Sequence, residues 1–599
     1  MIEALRELGL YSLKSEGRST ANELEIMVQD PNVDKVILIK FKSDSGEVRY
    51  DGVDVEDMKG NYIKYLYRRK APNGPNFTPS AKLTDNVQKT IDNRFIPWFK
   101  GRQGMLGNVT IQQIGNSFVQ NMNTIVNQIT EELNSYSKET FLITLLIDGK
   151  YLNEFNVMQD ILIEGVKGKY GKVKTKDGVC SLCGKREEVF GNASPYTFYT
   201  LDKPGYVAGG FDDKQGWRNF PLCIECVLLI DEGRQYLEDT LGAFSFAKLS
   251  YYLIPRSITN NIDALTGVLT IYNDFRTKKI AIDEKHRKRL LSDEDDILYI
   301  IKDCNDSFVF TFLFYEKSNS RFAINLLIED IYPSRLMEMF NAKSMAEDYS
   351  IFKNIVFSKK DTKDILFNFY VLRVFFNSIK EFLNITEQIF KKIPLNYDFV
   401  ISKFIEYIRD RFVNDNYIKI SALQSFVCLL FFNHFGLLNF NGGKQVKMDK
   451  RVMPSALELN EKIDGFFNSF SDAFSSYSMR AVFLMGVLTQ LLLQIQGGDR
   501  SSTPFRKQLK GLKMKEDDIC GLLPKIINKL EEYGKNYYKQ LESIISFYFL
   551  NAGKDWHMSV DEINYYFVLG MNLYDATAID GSFIFKSNKK GQEEGKDNE

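Results

Sequence analysis

The sequence predicts an α+β protein: a mixed α/β N-terminal part with an inserted four-cysteine zinc-binding segment, followed by a helical-bundle C-terminal domain. Three observations carry this reading. Apolar runs of strand length mark the first 160 residues, two C-x-x-C pairs fall between 161 and 245, and apolar residues recur at three- and four-residue spacing after Ser358. At 599 residues the chain exceeds the size at which a single hydrophobic core stops growing, so several domains are expected. With 44% hydrophobic and 26% charged residues it can fill large cores, which excludes a mainly disordered or low-complexity chain.

Residues 1–160 open with a short helix and continue with VDKVILIKFKSDSGEVRYDGV, two apolar runs about a Ser-Asp-Ser-Gly turn, as in a β-hairpin. FLITLLID (141–148) reads as a buried strand. Between them lies KAPNGPNFTPSAKL, whose Pro72, Gly74, Pro75 and Pro79 predict an extended loop. Residues 161–245 form the cysteine-bearing segment, and 246–355 the remainder of the α/β region, with the strand-like DSFVFTFLFYE. Residues 356–585 predict antiparallel helices: DILFNFYVLRVFFNSIKEFL, KIINKLEEYGKNYYKQLESIISFYF and SVDEINYYFVLGMNLY all have helical apolar spacing. AVFLMGVLTQLLLQI (481–495) is shorter than the roughly 20 residues of a membrane span and contains Thr489 and Gln490, so it reads as a buried helix. Residues 586–599 contain no apolar side chain and predict a disordered tail.

The chemistry with the strongest signature is soft-metal ligation. Cys180 and Cys183 in CSLCGK, and Cys223 and Cys226 in CIEC, each place two thiolates on a knuckle-like turn, and two knuckles supply the tetrahedral set that zinc prefers. Gly184 permits the tight backbone of the first turn. The 39 residues between the pairs exceed the usual ribbon spacing, at a modest entropic cost. Four thiolates leave no open position for water, so the expected zinc is structural. Cys304, Cys428 and Cys520 are isolated and read as core residues. Seven cysteines are too few for a disulfide scaffold, and the charged N-terminus lacks a signal peptide, so a reducing cytoplasm is expected.

Signatures of catalysis are weak. The three histidines, His286, His434 and His557, form no HExxH pair, and no GxxxxGK[ST] or GxGxxG phosphate cradle occurs. GGFDD (209–213) lies inside the cysteine segment, and GGD (497–499) reads as the glycine turn ending a helix; neither sits where a metal-holding palm turn would be. No enzyme is expected.

With 77 Lys plus Arg against 78 Asp plus Glu, any nucleic-acid surface must be a local patch. The first candidate places Lys64, Arg68, Arg69 and Lys70 before a loop carrying Asn73 and Asn76: cations for phosphates, amides for base edges. The same residues fit an edge strand guarded by charge. The second is VKGKYGKVKTK, with Lys172 and Lys174, which also fits a solvated hairpin. The third is FRKQLKGLKMK, with Arg506, Lys507, Lys510 and Lys513, whose charge the following Glu516, Asp517 and Asp518 can balance.

Several of these stretches together resemble the large subunit of type I-B CRISPR surveillance complexes (Cascade). They are YRRKAPNGPNFTP, CSLC followed by GYVAGGFDDKQGWRNFPLCIEC, and FRKQLKGLKMKEDD with DEINYYFVLGMNL. The resemblance implies a non-catalytic subunit that binds near the 5′ end of the CRISPR guide RNA and senses the protospacer-adjacent motif in target double-stranded DNA. It further implies strand displacement, recruitment of a helicase-nuclease, contact with the backbone and other subunits, and no membrane. The residues alone leave two other classes open: a zinc-ribbon nuclease or divergent polymerase-like enzyme acting on nucleic acid, and a helical scaffold that touches only protein.

Overall fold

Val36, Ile37, Leu38 and Ile39 are buried in succession, and so are Phe141 to Leu145, which marks two strands covered on both faces. In the computed structural model they are β1 (Lys35–Asp44) and β4 (Phe141–Ile147), paired in parallel from Lys35 against Phe141 to Phe41 against Ile147. Strand β2 (Glu47–Asp57) returns antiparallel to β1 through the predicted turn, with a register shift at Lys40/Phe41, and β3 (Ala81–Lys82) pairs with the other side of β4. The sheet order is β2-β1-β4-β3. The described residues are 1–585 except 21–22, 29, 45, 59, 69–76, 85, 172, 192–211, 260, 277–297, 299–300, 303, 319–320, 359–360, 439–457, 501 and 578–581. The Pro/Gly/Asn loop at 69–76, the first three residues of GGFDD, His286 and the tail from 586 lie outside them.

The chain divides into two units, one of Met1–Gly242, Ile254–Gly267 and Glu316–Ile324, the other of Ala243–Leu253, Val268–Tyr315 and the chain from Asn325. In the first, α1 (Ile2–Ser15) is the predicted opening helix. Helix α2 (Ile111–Gln120) starts in a capping box formed by Thr110 and Gln113, and it sets Phe118 against Phe41, Phe95 and Phe99. Helices α3 (Met122–Leu133) and α4 (Asn156–Tyr170) flank β4 in sequence. A three-stranded sheet, β5 (Lys174–Val179), β6 (Arg186–Phe190) and β7 (Leu222–Cys223), then leads into α5 (Ile224–Gln235).

Helices α1 and α5 cross at two glycines. A methyl group on Gly9 would overlap the Leu229 carbonyl oxygen, and one on Gly233 would overlap that of Leu5, so the two backbones are in direct contact. Ser12 Oγ donates to the Glu232 carboxylate at 3.1 Å across this contact.

A further sheet of order β8-β9-β10-β11 comprises Phe244–Phe246, Leu249–Ser257, Phe308–Ser318 and Arg321–Ile331. Helix α6 (Pro333–Glu347) follows. Residues Ile355–Ser358 (β12) and Asp361–Lys363 (β13) form a hairpin, which corrects the expectation of helix after Ser358. DILFNFYVLRVFFNSIKEFL is likewise two helices, α7 (Phe369–Phe375) and α8 (Ile379–Lys391), because Asn368 caps the first and Ser378 precedes the second.

The helices that follow along the chain are α9 (Tyr397–Val413), α10 (Lys419–His434), α11 (Glu458–Ser469), α12 (Tyr477–Arg500), α13 (Glu516–Glu532), α14 (Lys539–Ala552) and α15 (Val560–Leu573). Helix α12 is long and apolar enough to cross a membrane, but it is largely buried inside this fold, as the run 481–495 predicted. It crosses α15 at Gly486 and Gly570, each set against a carbonyl of the other helix. Phe466, Phe467, Phe474 and Phe483 pack together beside Tyr548 and Tyr566. Gly497 and Gly498 are inside α12, not in a turn that ends it: the helix continues to Arg500 and Asp499 is held by Lys535 at 2.6 Å. The predicted class, mixed α/β with a four-cysteine segment and then helices, describes this architecture.

Candidate metal centre and nucleic-acid surfaces

Strand β5 delivers the chain to Cys180, where the knuckle closes on itself. The Cys180 N–H donates to the Lys185 carbonyl at 2.9 Å, and the Gly184 N–H to the Cys180 carbonyl at 3.0 Å. Gly184 has φ of +72°, the left-handed conformation expected of it. The Ser181 N–H donates to the Pro221 carbonyl at 2.8 Å and so ties the first knuckle to the approach of the second. There Cys223 pairs with Val189 in the sheet and caps α5 in the same residue, which places Cys226 in the helix's first turn.

The four sulfurs lie within 4.8 Å of one another, with Cys183 and Cys223 at 3.6 Å. A tetrahedral zinc with bonds of about 2.3 Å needs sulfurs about 3.8 Å apart, so the donor set and its spacing fit that ion. Cys180, Cys223 and Cys226 are buried and Cys183 is partly exposed. Hydrogen bonding with Cys223 and then Cys226 holds the Cys180 thiol well below the usual thiol range, against the effect of burial. The same sharing with Cys180 pushes Cys223 and Cys226 up. Arg6 Nε donates to Cys226 Sγ at 3.3 Å, a cation beside the thiolates that the sequence did not signal, because it comes from a helix 220 positions away. Lys185 is held at the rim by Glu225 at 2.6 Å.

The two described residues of the first basic patch, Lys64 and Arg68, are engaged inside the fold. Arg68 is only 4% exposed and donates from Nη1 to the Met27 carbonyl at 2.8 Å, with Nη2 3.8 Å from Asp231. The expectation that it faces nucleic acid is therefore corrected: Tyr65, Leu66 and Tyr67 are buried, and the chain carries Arg68 inward with them. Lys64 is also engaged internally, 3.1 Å from Glu56 and over the rings of Tyr65 and Tyr151. Glu56 meanwhile accepts from both tyrosine hydroxyls, a cluster with no local sequence signal. Arg69, Lys70, Asn73 and Asn76 lie outside the described residues, as does Lys172 of the second patch. Lys174 is exposed on β5 and pairs with Glu188 at 2.8 Å.

In the third patch, the Arg506 guanidinium lies 4.0 Å from the Phe412 ring centroid, donates to the Phe412 carbonyl at 2.6 Å and sits 3.4 Å from Asp415. Lys510 pairs with Asp518 at 2.6 Å. Lys507 and Lys513 are exposed and have no acidic partner among the described residues. Of the isolated cysteines Cys428 is buried and Cys304 partly so, but Cys520 is exposed on α13, where the apolar stripe of Ile519, Leu522 and Ile526 leaves it outside the core. His434 ends α10 with Nε2 3.3 Å from the Tyr349 hydroxyl.

Models of the CRISPR-associated protein TM1802 match the chain in three consecutive stretches: the N-terminal domain over residues 1–164, the central domain over 177–331 and the C-terminal domain over 367–582. The chain belongs to the CRISPR-associated TM1802 family. All four clustered cysteines fall in the stretch matching the TM1802 central domain, and the 504–515 basic segment in that matching the C-terminal domain. The sequence resemblance to a CRISPR-associated large subunit holds at this level. No curated protein matches the chain at a significant level.

Proposed function

We propose that this TM1802-family protein is the non-catalytic large subunit of a type I-B CRISPR surveillance complex in the cytoplasm. In this reading it binds near the 5′ end of the guide RNA, recognises the protospacer-adjacent motif in duplex DNA, helps to displace one strand and recruits a helicase-nuclease. The observation that carries the reading is the run of three family-model matches along most of the chain. The metal centre agrees with it: four thiolates complete a zinc's coordination, so the ion staples two knuckles and leaves no site for a reacting water. Exposed Lys507 and Lys513 supply cations for a phosphate backbone.

The test is reconstitution of the complex with and without this subunit, on target duplexes with an intact or altered motif. Motif-dependent binding and helicase-nuclease recruitment that disappear without the subunit are expected. Nuclease or nucleotide-polymerising activity of the purified chain with Mg²⁺ would instead establish the enzyme reading.

A further inference from the structure

The segment after the 3₁₀ turn Pro504–Leu509 holds a rare backbone conformation. Lys510, Gly511 and Leu512 are consecutive left-handed residues, with φ of +46°, +59° and +62°. L side chains such as those of Lys510 and Leu512 disfavour this conformation, so the surroundings must enforce the turn. They do so from several sides. Leu509, Leu512 and Met514 are fully buried. Arg409 Nε donates to the Leu512 carbonyl at 3.0 Å, and the buried Asn564 amide both accepts from the Met514 N–H and donates to the Met514 carbonyl, at 3.1 and 2.9 Å. The Leu512 N–H reaches the Leu509 carbonyl at 2.8 Å.

Two backbone donors are left over. Among the described residues the N–H groups of Lys510 and Gly511 find no acceptor. A switch from right-handed to left-handed backbone, here from Leu509 to Lys510, turns successive N–H groups to one side and makes an anion-binding concavity. Lys507 and Lys513, both exposed and free of acidic partners among the described residues, bracket it in sequence, while Asp415 and Asp518 are already engaged with Arg506 and Lys510.

We infer that the 507–513 turn is a preformed phosphate site, in which the N–H groups of Lys510 and Gly511 and the side chains of Lys507 and Lys513 hold one or two phosphodiesters of a nucleic-acid strand. This rests on the nucleic-acid-binding reading above and gives it an address. Arg506, in contrast, is a positioning residue spent on Phe412.

The experiment measures binding of labelled single-stranded and duplex DNA to the full chain across a salt series, for wild type and for the Lys507→Gln/Lys513→Gln double variant. Loss of two phosphate contacts should flatten the slope of log affinity against log salt by about 1.4 to 1.8, with the melting temperature unchanged. Gly511→Ala, which cannot relax into its φ of +59° without strain, should weaken binding with both lysines intact. An unchanged slope in the double variant, with DNA binding by wild type, overturns the site and leaves the subunit reading standing. Wild-type chain that binds no DNA even at low salt overturns both. Lysine-dependent binding of inorganic phosphate without any change in DNA affinity also overturns the proposal, as it assigns the turn to the free anion.

Discussion

The Sγ of Cys223 accepts a hydrogen bond from the Cys226 N–H at 3.5 Å, so one side chain is both the cap of α5 and a member of the cysteine cluster. The two roles are separable by chemistry. Cys223→Ser keeps an acceptor at the cap and removes a soft ligand, whereas Cys223→Ala removes both. Purified chain should carry one zinc, Cys223→Ser should lose it with a clear drop in melting temperature, and Cys223→Ala should melt lower still. Full zinc content in Cys223→Ser, by metal analysis, would refute the ligand assignment.

Replacing Arg68 should act on folding. Its guanidinium is buried against the Met27 carbonyl and Asp231; Arg68→Ala leaves that carbonyl without its donor while Asp231 keeps Arg234 at 3.1 Å, at a cost of about 1–3 kcal/mol. Chemical denaturation should show this loss directly. A variant that folds with wild-type stability but binds DNA poorly would return Arg68 to the surface role that the fold denies it.

Glycines on helices should respond with opposite signs. Gly233→Ala and Gly570→Ala push a methyl into a carbonyl of the facing helix and should destabilise by about 1–3 kcal/mol or more. Gly168→Ala on α4 meets open space and should stabilise by about 0.4–1 kcal/mol. Thermal melts of the three variants suffice to check the signs.

Glu562 gives a pH dependence of definite sign. Burial is the main cause that raises its carboxyl to about 7, partly offset by the Tyr397 hydroxyl that donates to it at 3.0 Å and reinforced by nearby Asp398. The folded state therefore holds a proton between about 4.5 and 7 that the unfolded state releases, and stability falls as pH rises through that window. Summed over the whole window, its contribution is about 3 kcal/mol. Glu562→Gln should flatten the decline in urea midpoint over that range; an unaltered profile would exclude Glu562 as its source.

What could be read in the sequence was what local chemistry dictates. A strand covered on both faces must be apolar throughout, so β1 and β4 were visible as runs; a cluster of four thiols built on two knuckles was visible as two C-x-x-C pairs. Arg68 was misread because burial is decided by Met27 and Asp231, partners remote in sequence that composition cannot reveal. The GGD stretch was misread because a helical glycine costs only about 1 kcal/mol relative to alanine, little beside the packing of α12 and the Asp499–Lys535 pair. The left-handed turn at Lys510–Leu512 had only Gly511 to announce it; Lys510 and Leu512 are held there by Arg409 and Asn564.

The crossing of α1 with α5 joins residues separated by 220 positions. On a ribosome that adds about 5–20 residues per second, α1 emerges on the order of 10–45 s before its partner exists. During that interval Leu5, Leu8 and Leu13 have no core to enter, and Arg6 has no sulfur to meet. Helix α1 thus waits unseated until α5 has been made, and the four-cysteine cluster is incomplete until the same point, because Cys226 stands in the first turn of α5.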